Sequence, residues 1–563
     1  MPFFNLAGLH QAQGRYADAL PLVKRTIVQK AAQKIIGLNV FYGAQSQRLI
    51  TSAEALESSY SVFQHSASSA ASKAVSLLAV RFAAGSDELA QLVRKDQDLT
   101  TEGDRLDKSI IAAVSKPPAE RSKIAEQQIR QRIDEIKSER DKLSDVFNQR
   151  FPDYVALSKP QPLSVKDTQA LLADDEALVT VDLDKTSYVW VITRNRAEWK
   201  QLSVTAEDVA KEVTSLRAAL DPESAQSFDT RLAYQLYQQI IGPIEEIISQ
   251  KIRLSFVLTG ALTSLPPQVL ITSDPTGKDL ASLGWLVRKY AITVLPSVAS
   301  LKLLRGGKHV VAAAKPMIGF GDPIFDSSAR HKVASLNRSL NLMTFYRGAI
   351  ADTKLLAEAL PPLPETADEL RAVARALEVG SEDIKLGQAA TVSTVKRAPL
   401  DNYRVVYFAT HALVAGEVEK FAKVKAEPAL VLSIPDKPTE EDDGLLRASD
   451  VAMLKMNADF VVLSACNTAA GDKPGAEALS GLARAFFYAG GRSLIVSNWQ
   501  VDSDSTVTLM TGLFDALKTN SHLSHAEALR LSMLRMINNP SKPEWAQPKY
   551  WAPFIVVGEP QKN

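Results

Sequence analysis

Four short apolar runs in the second half of the chain constrain its fold more than any other feature. They lie at residues 405–409, 429–432, 460–464 and 493–497, with helical or loop segments between them. Short apolar runs without polar alternation are typical of parallel strands that are buried on both faces of a sheet. The sequence therefore predicts an α/β domain with a mainly parallel sheet and helices on both faces.

The residues ahead of these runs predict a further α/β part. Strand-like and helical patterns alternate there, at 177–181, 188–193, 207–220, 231–248 and 254–258. A polar stretch at about 323–350 is expected to be a surface excursion, and a helix is expected at 366–377. We therefore predict an N-terminal α/β part at 160–310 and a second part, which contains the four runs, at 311–560.

The first 155 residues have a helical pattern instead. Leu6, Gly14, Tyr16, Ala19 and Leu20 have the spacing of a single tetratricopeptide helix pair. One such repeat cannot bury its apolar face, so we expect either that further repeats have been lost from this N-terminus or that the start codon is internal. Between 129 and 147 apolar residues recur every three or four positions, which fits a hairpin of helices or a coiled coil with a separate partner. Prolines between 152 and 162 then predict a hinge, so we expect a helical arm over 1–155.

Composition argues against several classes of partner. The 65 Lys and Arg residues are balanced by 64 Asp and Glu residues, so no net field attracts nucleic acid or an anionic membrane. The sequence contains no signal-peptide pattern and no run of about 18 apolar residues. From these features we expect a cytoplasmic protein with no membrane span, no direct nucleic-acid partner and no cofactor.

Two of the predicted strands lead to a residue that can carry chemistry. ArgValValTyrPheAlaThrHis ends in His411, and PheValValLeuSerAlaCys ends in Cys466. Loops at the carboxyl edge of an α/β sheet converge, so both side chains are expected at that edge. An imidazole beside a thiol raises the thiolate fraction and later protonates a leaving amine. The two residues are therefore candidates for acyl transfer.

The alternative is that Cys466 is a small buried apolar residue and His411 a hydrogen-bonded core histidine. Against it, Cys466 is the only cysteine of the chain, and it follows a strand and precedes loop-forming residues. A single cysteine forms no intramolecular disulfide and no cysteine-rich zinc site. His522 and His525 lie three residues apart with no further ligand nearby in the sequence, so we expect no metal there.

Several motifs resemble those of the CHAT domain, a caspase-like and separase-like peptidase module often found behind tetratricopeptide repeats. The motifs are TyrPheAlaThrHis at 407–411, GluProAlaLeuValLeu at 427–432, AspGlyLeuLeu at 443–446, ValValLeuSerAlaCysAsnThr at 461–468, GlyLeuAlaArgAlaPhePheTyrAlaGlyGlyArgSer at 481–493, TrpGlnValAsp at 499–502 and TyrTrpAlaProPheIleValValGly at 550–558. Weaker similarities at 258–266 and 319–323 extend the resemblance over about 165–558.

The resemblance implies a caspase-like fold and a catalytic dyad of His411 and Cys466. It also implies an oxyanion hole made by the backbone N–H groups of Ala412 and Cys466, which would stabilise charge that appears only in the tetrahedral intermediate. The family usually has glycine after the histidine and after AsnThr, where this chain has Ala412 and Ala469. If position 412 needed a positive φ, the alanine would strain the loop by about 1 kcal/mol.

A substrate pocket is implied beside the run at 493–497, which Trp499, Asp502 and Asp504 follow. The similar position in separases supplies an acidic group to an arginine pocket. These three residues are therefore candidates for substrate binding, and we expect cleavage after Arg or Lys, with Asp502 as the better candidate. The alternative is that the two carboxylates stabilise the N-terminus of the helix that follows.

Two functional hypotheses result. In the first, the chain is a cysteine endopeptidase that cleaves a protein or peptide substrate and is activated by a protein bound to the helical arm. In the second, it is a catalytically silent scaffold, a pseudopeptidase whose caspase-like domain serves as a platform for other proteins.

Overall fold

The computed structural model describes most of the chain. The described residues are 2–26, 34–66, 122–151, 162–221, 224–305, 312–325, 360–413, 429–435, 442–464, 481–499 and 503–558, with single positions between 88 and 110, at 346–351 and at 439. Contacts divide the chain into unit 1, which comprises 1–75, 162–305 and 311–563, and unit 2, which comprises 76–161 and 306–310. None of the described helices combines the length and apolar character that a membrane crossing requires.

Unit 1 is built around one large sheet. Its strands and those of two smaller sheets are β1 (Glu176–Asp182), β2 (Ser187–Thr193), β3 (Ala197–Leu202), β4 (Arg253–Leu258), β5 (Ala291–Val294), β6 (Lys315–Gly321), β7 (Tyr346–Arg347), β8 (Ile350–Ala351), β9 (Ile384–Leu386), β10 (Tyr403–Ala409), β11 (His411–Leu413), β12 (Ala429–Val431), β13 (Leu445–Arg447), β14 (Phe460–Ser464), β15 (Leu494–Ser497) and β16 (Phe554–Val557). The strand order in the large sheet is β3-β2-β1-β4-β5-β16-β15-β14-β10-β6-β9.

Along the chain, helices precede the strands and lie between them. They are α1 (Pro2–Ala12), α2 (Tyr16–Thr26), α3 (Lys34–Ser46), α4 (Ser52–Ser66), α5 (Lys123–Arg150), α6 (Val165–Leu171), α7 (Ala206–Ala218), α8 (Thr230–Ile240), α9 (Glu245–Ile248), α10 (Leu286–Lys289), α11 (Val298–Arg305), α12 (Glu365–Ala376), α13 (Val392–Arg397), α14 (Ala448–Met453), α15 (Gly481–Ala489), α16 (Ser503–Thr519), α17 (His525–Ile537) and α18 (Pro548–Trp551). The predicted fold class, a mainly parallel α/β sheet preceded by helices, is confirmed.

Local sequence explains where several of these helices begin and end. The side chain of Thr205 accepts a hydrogen bond from the backbone N–H of Asp208, and the carboxylate of Asp208 accepts one from the backbone N–H of Thr205, which closes a capping box at the start of α7. Ser524 and Glu527 do the same at the start of α17. The predicted helix at 231–248 is interrupted at Gly242–Ile244, because Pro243 has no N–H to continue the helical hydrogen bonds.

The two halves of the large sheet run in opposite directions. Strand β16 is parallel to β5 but antiparallel to β15. Strands β1, β4, β5 and β16 therefore point one way, whereas β15, β14, β10, β6 and β9 point the other way. As a result, the carboxyl ends of β10, β14 and β15 share one edge of the sheet with the amino ends of β1, β4 and β5.

One predicted strand lies elsewhere. We expected the run at 429–432 to belong to the large parallel sheet, and that expectation is wrong. Its residues form β12 in a separate antiparallel sheet, in the order β11-β12-β13. The run is fully buried in the observed sheet. Its apolar composition predicts that burial but does not identify the strand with which it pairs. The identity of its partner strand depends on contacts that are distant in sequence.

Helices α1 to α4 pack with the sheet inside unit 1. Gly14, at φ +69°, allows the tight turn between α1 and α2. Buried residues of α3 and α4 share one apolar cluster with Tyr188, Trp190 and Trp199 of β2 and β3. Each of these three rings also donates a side-chain hydrogen bond to a helix, to Asn39, Ser59 and Gln45 respectively. The predicted division at residue 155 is therefore not the one that these contacts give.

Unit 2 contains α5 and helical residues between 88 and 110. Leu99, Ile136, Leu143 and Phe147 are buried there. Ion pairs join the two helical stretches at Arg132–Glu102 (2.8 Å), Arg140–Asp96 (3.0 Å) and Arg150–Glu88 (2.7 Å). Arginines later in the sequence of α5 pair with acidic residues earlier in the other stretch, so the two stretches are antiparallel. This is the hairpin arrangement, one of the two that the sequence left open.

Candidate active site

The strands that lead to His411 and Cys466 are neighbours. Strands β10 and β14 are parallel, and Ala409 lies opposite Ser464. The N–H of Thr410 donates to the carbonyl of Ser464 at 3.2 Å, so pairing continues to the residue before His411. Neighbouring strands lie about 4.8 Å apart. The carboxyl ends of the two strands are therefore side by side, as the sequence predicted.

Two of the candidate residues cannot be placed. Cys466 follows Ser464 by two residues but lies outside the described residues, and so does Asp502. Ala469 lies outside them as well. The dyad of His411 and Cys466 and the role of Asp502 stay predictions.

His411 is the first residue of β11 and is partly buried. Its Nε2 lies 2.8 Å from the carbonyl oxygen of Pro361, and the ring of Phe325 packs against it at 5.4 Å between centroids. A carbonyl oxygen only accepts, so Nε2 carries the proton of the neutral ring and Nδ1 keeps the lone pair. Burial lowers the pKa of His411, against smaller opposing effects of the Pro361 carbonyl and Glu365. The neutral imidazole therefore offers Nδ1 as a proton acceptor.

Ala412 lies in β11, opposite Leu430 of β12. Among the described residues, the non-glycine positions with a positive φ are Arg48, Asp322 and Glu378. Ala412 is not one of them, so its Cβ causes no strain of the kind that a left-handed conformation would impose. Its N–H as part of an oxyanion hole stays a prediction.

Trp499 follows β15 at the same edge of the sheet as His411 and is 3% exposed. Its indole N–H donates to the carbonyl of Lys549 at 3.2 Å. The guanidinium carbon of Arg217, from α7, lies 5.3 Å from the ring centroid. Within the described part of the chain, Nη1 of Arg217 has no hydrogen-bond partner, and burial lowers the pKa of this side chain to about 10. The indole ring is therefore packed against an internal cation.

Asp504 is exposed and lies in the first turn of α16. A carboxylate is favourable there because the N–H groups of the first helical turn carry partial positive charge. This position matches the alternative in which the carboxylate stabilises a helix N-terminus. Its role in substrate binding stays a prediction.

A buried carboxyl group lies next to the paired strand ends. Glu369, on α12, is 2% exposed. It accepts hydrogen bonds from the hydroxyls of Tyr407 on β10 and Ser464 on β14. Burial raises the pKa of Glu369 to about 7, although both hydrogen bonds act in the opposite direction. Burial also raises the pKa of Tyr407. One carboxyl group thus connects α12 to both candidate strands.

Pro361 and Glu369 were not predicted from the sequence. Pro361 acts through its backbone carbonyl, which no residue type reveals. Glu369 did leave a signal, since it lies on the buried face of α12 together with Leu370 and Val373. A glutamate in the apolar stripe of an amphipathic helix is rarely buried without partners. That position could have indicated a buried polar cluster.

Metal ligands are not grouped in the described part of the chain. No set of three or more His, Cys, Asp or Glu side chains there could hold a metal ion. His525 instead stacks on Phe460, with ring centroids 4.1 Å apart, and His522 is exposed.

A mainly parallel α/β sheet of this kind, with a histidine at the end of one strand and a cysteine after the next, is what the CHAT resemblance implied. The family model of the CHAT domain matches residues 230–559, more than half of the chain. The chain therefore belongs to the CHAT domain family.

Relatives and similar structures were found as well. Tetratricopeptide repeat protein 28 of Mus musculus is 26% identical over 362 residues, which cover 58% of this chain and 13% of the relative. The Homo sapiens protein of the same name is 23% identical over 371 residues, or 61% and 14%. The chain thus spans about one seventh of the curated relatives that it matches.

Among solved structures, the separase–securin complex of Saccharomyces cerevisiae is 10% identical, with a TM-score of 0.41, over 99% of this chain and 49% of that chain. The Arg-specific cysteine proteinase gingipain R of Porphyromonas gingivalis is also 10% identical, with a TM-score of 0.34, over 63% of this chain and 74% of that chain.

Proposed function

We propose that the chain is a cysteine endopeptidase of the CHAT family, with Cys466 as nucleophile and His411 as acid and base. One observation carries the proposal. The Pro361 carbonyl holds Nε2 of His411, which leaves Nδ1 available at the end of β10, and the neighbouring parallel strand leads to the only cysteine of the chain. In the proposal, Nδ1 of His411 accepts the proton of that thiol.

The chemistry follows from these groups. Nδ1 of His411 takes the thiol proton, and Sγ of Cys466 attacks the carbonyl carbon of the scissile bond. The N–H groups of Ala412 and Cys466 stabilise the resulting oxyanion. The imidazolium then protonates the leaving amine as the C–N bond breaks, and a thioester forms. Water, deprotonated by the neutral imidazole, hydrolyses the thioester to the acid and restores the thiol.

Substrate preference belongs to the same proposal. Asp504 is exposed in the first turn of α16, which supports Asp502 as the carboxylate that binds a substrate arginine or lysine. A carboxylate reserved for a substrate cation is costly while unpaired, at several kcal/mol when buried. Binding of a substrate cation offsets that cost, which fits a preference for Arg or Lys.

A protein activator is the third part of the proposal. The relatives are named for tetratricopeptide repeats, and α1 and α2 form a helix–turn–helix that Gly14 connects. Helical repeats present extended surfaces to other proteins. A protein that binds these helices would activate the peptidase by favouring one arrangement of its loops.

The test of the dyad uses the single thiol. The intact protein is treated with a peptidyl chloromethyl ketone that carries arginine next to the reactive group, and adducts are measured by mass spectrometry over time. We expect one adduct on wild type, none on Cys466→Ser, and labelling at least about 100-fold slower on His411→Ala. His522→Ala is the matched control, because His522 is exposed and outside the proposed site. Wild-type labelling of His411→Ala would overturn the assignment.

The same experiment separates the scaffold alternative. A scaffold needs no activated thiol, so its labelling would not exceed that of the unfolded chain and would not depend on the peptide part of the electrophile. If folded wild type is labelled no faster than the unfolded chain, and at a rate that does not depend on the peptide part of the electrophile, the scaffold hypothesis is favoured.

Preference for a basic residue is tested with a fluorogenic peptide library varied at the position before the scissile bond. We expect turnover after Arg and Lys. Asp502→Ala should reduce this turnover by about 100-fold, since the ion pair between the carboxylate and the substrate cation is worth about 3 kcal/mol. Asp504→Ala is measured in parallel, because Asp504 is the second candidate for the same pocket. A preference for acidic or apolar residues contradicts the proposal, and so does a basic preference that is unchanged in both variants.

A further inference from the structure

The carboxyl group of Glu369 joins two strands at the point where they approach the candidate site. Tyr407 lies four residues before His411, and Ser464 lies two residues before Cys466. Both hydroxyls bond to Glu369, because alternate residues of paired strands project on the same face and α12 covers that face. On this face one side chain therefore joins the strand ends, in addition to the backbone pairing of β10 with β14 and of Thr410 with Ser464.

The cluster formed by Glu369, Tyr407 and Ser464 does not favour folding as an apolar cluster would. Glu369, Tyr407 and Ser464 are all at most 5% exposed, and burying an ionisable carboxyl group costs free energy that an apolar residue of similar volume would not cost. Perturbed carboxyl groups next to a candidate site often have a functional role. Here the buried carboxyl group lies beneath the two strands that lead to His411 and Cys466.

We propose that Glu369 is a positioning residue, which ties β10 to β14 on the face that α12 covers and thereby holds the ends of the two strands that lead to His411 and Cys466. The inference rests on the proposed function only in that Cys466 is the reactive thiol. An ionised carboxylate accepts hydrogen bonds from both hydroxyls, whereas a protonated one has lost one acceptor site and gained a donor. The tie is therefore strongest when Glu369 is ionised, at pH values above about 7.

The charged surroundings favour this assignment. On α12 itself, Glu365 raises the pKa of Glu369. Of the elements packed against α12, β10 contributes Tyr407, which bonds to Glu369, and β14 contributes only the hydroxyl of Ser464. The other charged residues on α12 are Asp368, Arg371 and Arg375. The elements packed against α12 also carry Lys315 on β6, Asp322 after it, Lys385 on β9, Arg404 on β10, and the exposed Asp504, Asp515 and Lys518 of α16. Among the described residues, no cation bonds to Glu369, so its ionisation depends on the two hydroxyls.

The experiment measures alkylation of the single thiol by iodoacetamide from about pH 5.5 to about pH 9, in the full-length protein. For wild type we expect the alkylation rate to rise with pH in two steps, one from ionisation of the thiol and a second, near pH 7, from ionisation of Glu369. Glu369→Gln keeps the size and polarity of the side chain but cannot ionise, so we expect the second step to disappear and the rate above pH 8 to fall about tenfold. Asp368→Asn, an exposed neighbour on α12, is the matched control and should keep the wild-type profile.

Stability distinguishes positioning from folding. A carboxyl group whose folded pKa is raised contributes stability that is present below about pH 4.5 and lost as the pH rises through about 7. Glutamine does not lose it, so Glu369→Gln should unfold at an equal or higher urea concentration than wild type at pH 8. A merely structural role predicts instead that reactivity and stability fall together.

Tyr407→Phe is the second variant, and it keeps the carboxyl group but removes one of its donors. We expect the step near pH 7 to move to higher pH, because a hydrogen bond that favours the ionised form is lost. Profiles of Glu369→Gln and Tyr407→Phe that superimpose on wild type would overturn the inference. Iodoacetamide contains no peptide, so a Glu369-dependent profile without peptide turnover supports the inference while the peptidase proposal fails. Turnover with a Glu369-independent profile gives the opposite result.

Discussion

At the scale of single residues, the tautomer of His411 depends on a backbone atom. The Pro361 carbonyl accepts from Nε2, and Phe325 limits rotation of the ring from one side. Because burial lowers the pKa of His411 below its usual value, the imidazole is neutral at pH 7 and able to accept a proton. The orientation of Nδ1 therefore depends on how firmly the chain holds residue 361.

Pro361→Gly should loosen this contact without removing the carbonyl. Glycine gains backbone freedom worth about 0.4–1 kcal/mol relative to a constrained residue, so we expect alkylation of Cys466 to slow about two- to fivefold. The rate of iodoacetamide labelling at pH 7 measures it. Pro361→Ala keeps more restriction and should lie between glycine and wild type. Equal rates for all three proteins would show that the carbonyl contact does not position the ring.

At the scale of elements, the outer strands β2 and β3 depend on helices α3 and α4. Trp190 and Trp199 stack at 5.9 Å between ring centroids, and Phe63 of α4 packs on Trp190 at 5.0 Å. The indole N–H of Trp190 donates to Ser59 Oγ at 3.0 Å in a fully buried contact. Aromatic packing supplies the free energy of this contact, and the hydrogen bonds fix its register.

Ser59→Ala should destabilise unit 1 by about 1–3 kcal/mol, since it leaves the buried indole N–H of Trp190 without an acceptor. Urea unfolding followed by tryptophan fluorescence measures the change. Ser58→Ala is the matched control on the same helix, where the side chain is partly exposed, and it should change stability by less than about 0.5 kcal/mol. If both variants unfold alike, the helix contact is not part of the cooperative fold.

At the scale of the whole molecule, the helices before the sheet differ in their dependence on it. Gln64 exchanges two hydrogen bonds of 2.8 Å with the backbone of Leu163, so residues 64 and 163 of unit 1 are in direct contact. Lys34 of α3 pairs with the buried Asp182 of β1 at 2.7 Å. Residues 76–161, which make up most of unit 2, are thus inserted in the chain between two contacting points of unit 1.

Deletion of 76–161 should leave a folded unit 1. Residues 67–75 reach about 30 Å when extended, which is ample to connect two contacting ends. Deletion of 1–66 should instead give insoluble protein, because it exposes Tyr188, Trp190 and Trp199, each of which buries about 150–250 Å². Soluble yield and the sharpness of urea unfolding measure both outcomes. A soluble, cooperatively folding 67–563 protein would restore the sequence-based boundary at 155.

Much of the architecture followed from patterns in the sequence. The strands at 177–181, 188–193, 254–258, 405–409, 460–464 and 493–497 are present within a residue or two of the predicted bounds. The helix predicted at 366–377 is α12. These elements were predictable because local periodicity and apolar composition report burial directly. The position of His411 was predictable too, since it closely follows the apolar run of β10 and belongs to a recognisable motif.

The sequence by itself determined which segments are strands, that His411 and Cys466 follow two of them, and that the chain resembles the CHAT family. Tertiary structure alone decided that β10 and β14 are neighbours, that β16 reverses the direction of half the sheet, and that 429–431 pairs elsewhere. It also decided that Pro361 bonds to His411 and that Glu369 connects both strands. The physical reason is that burial depends on residue type and local spacing, whereas a partner depends on contacts between residues far apart in the chain.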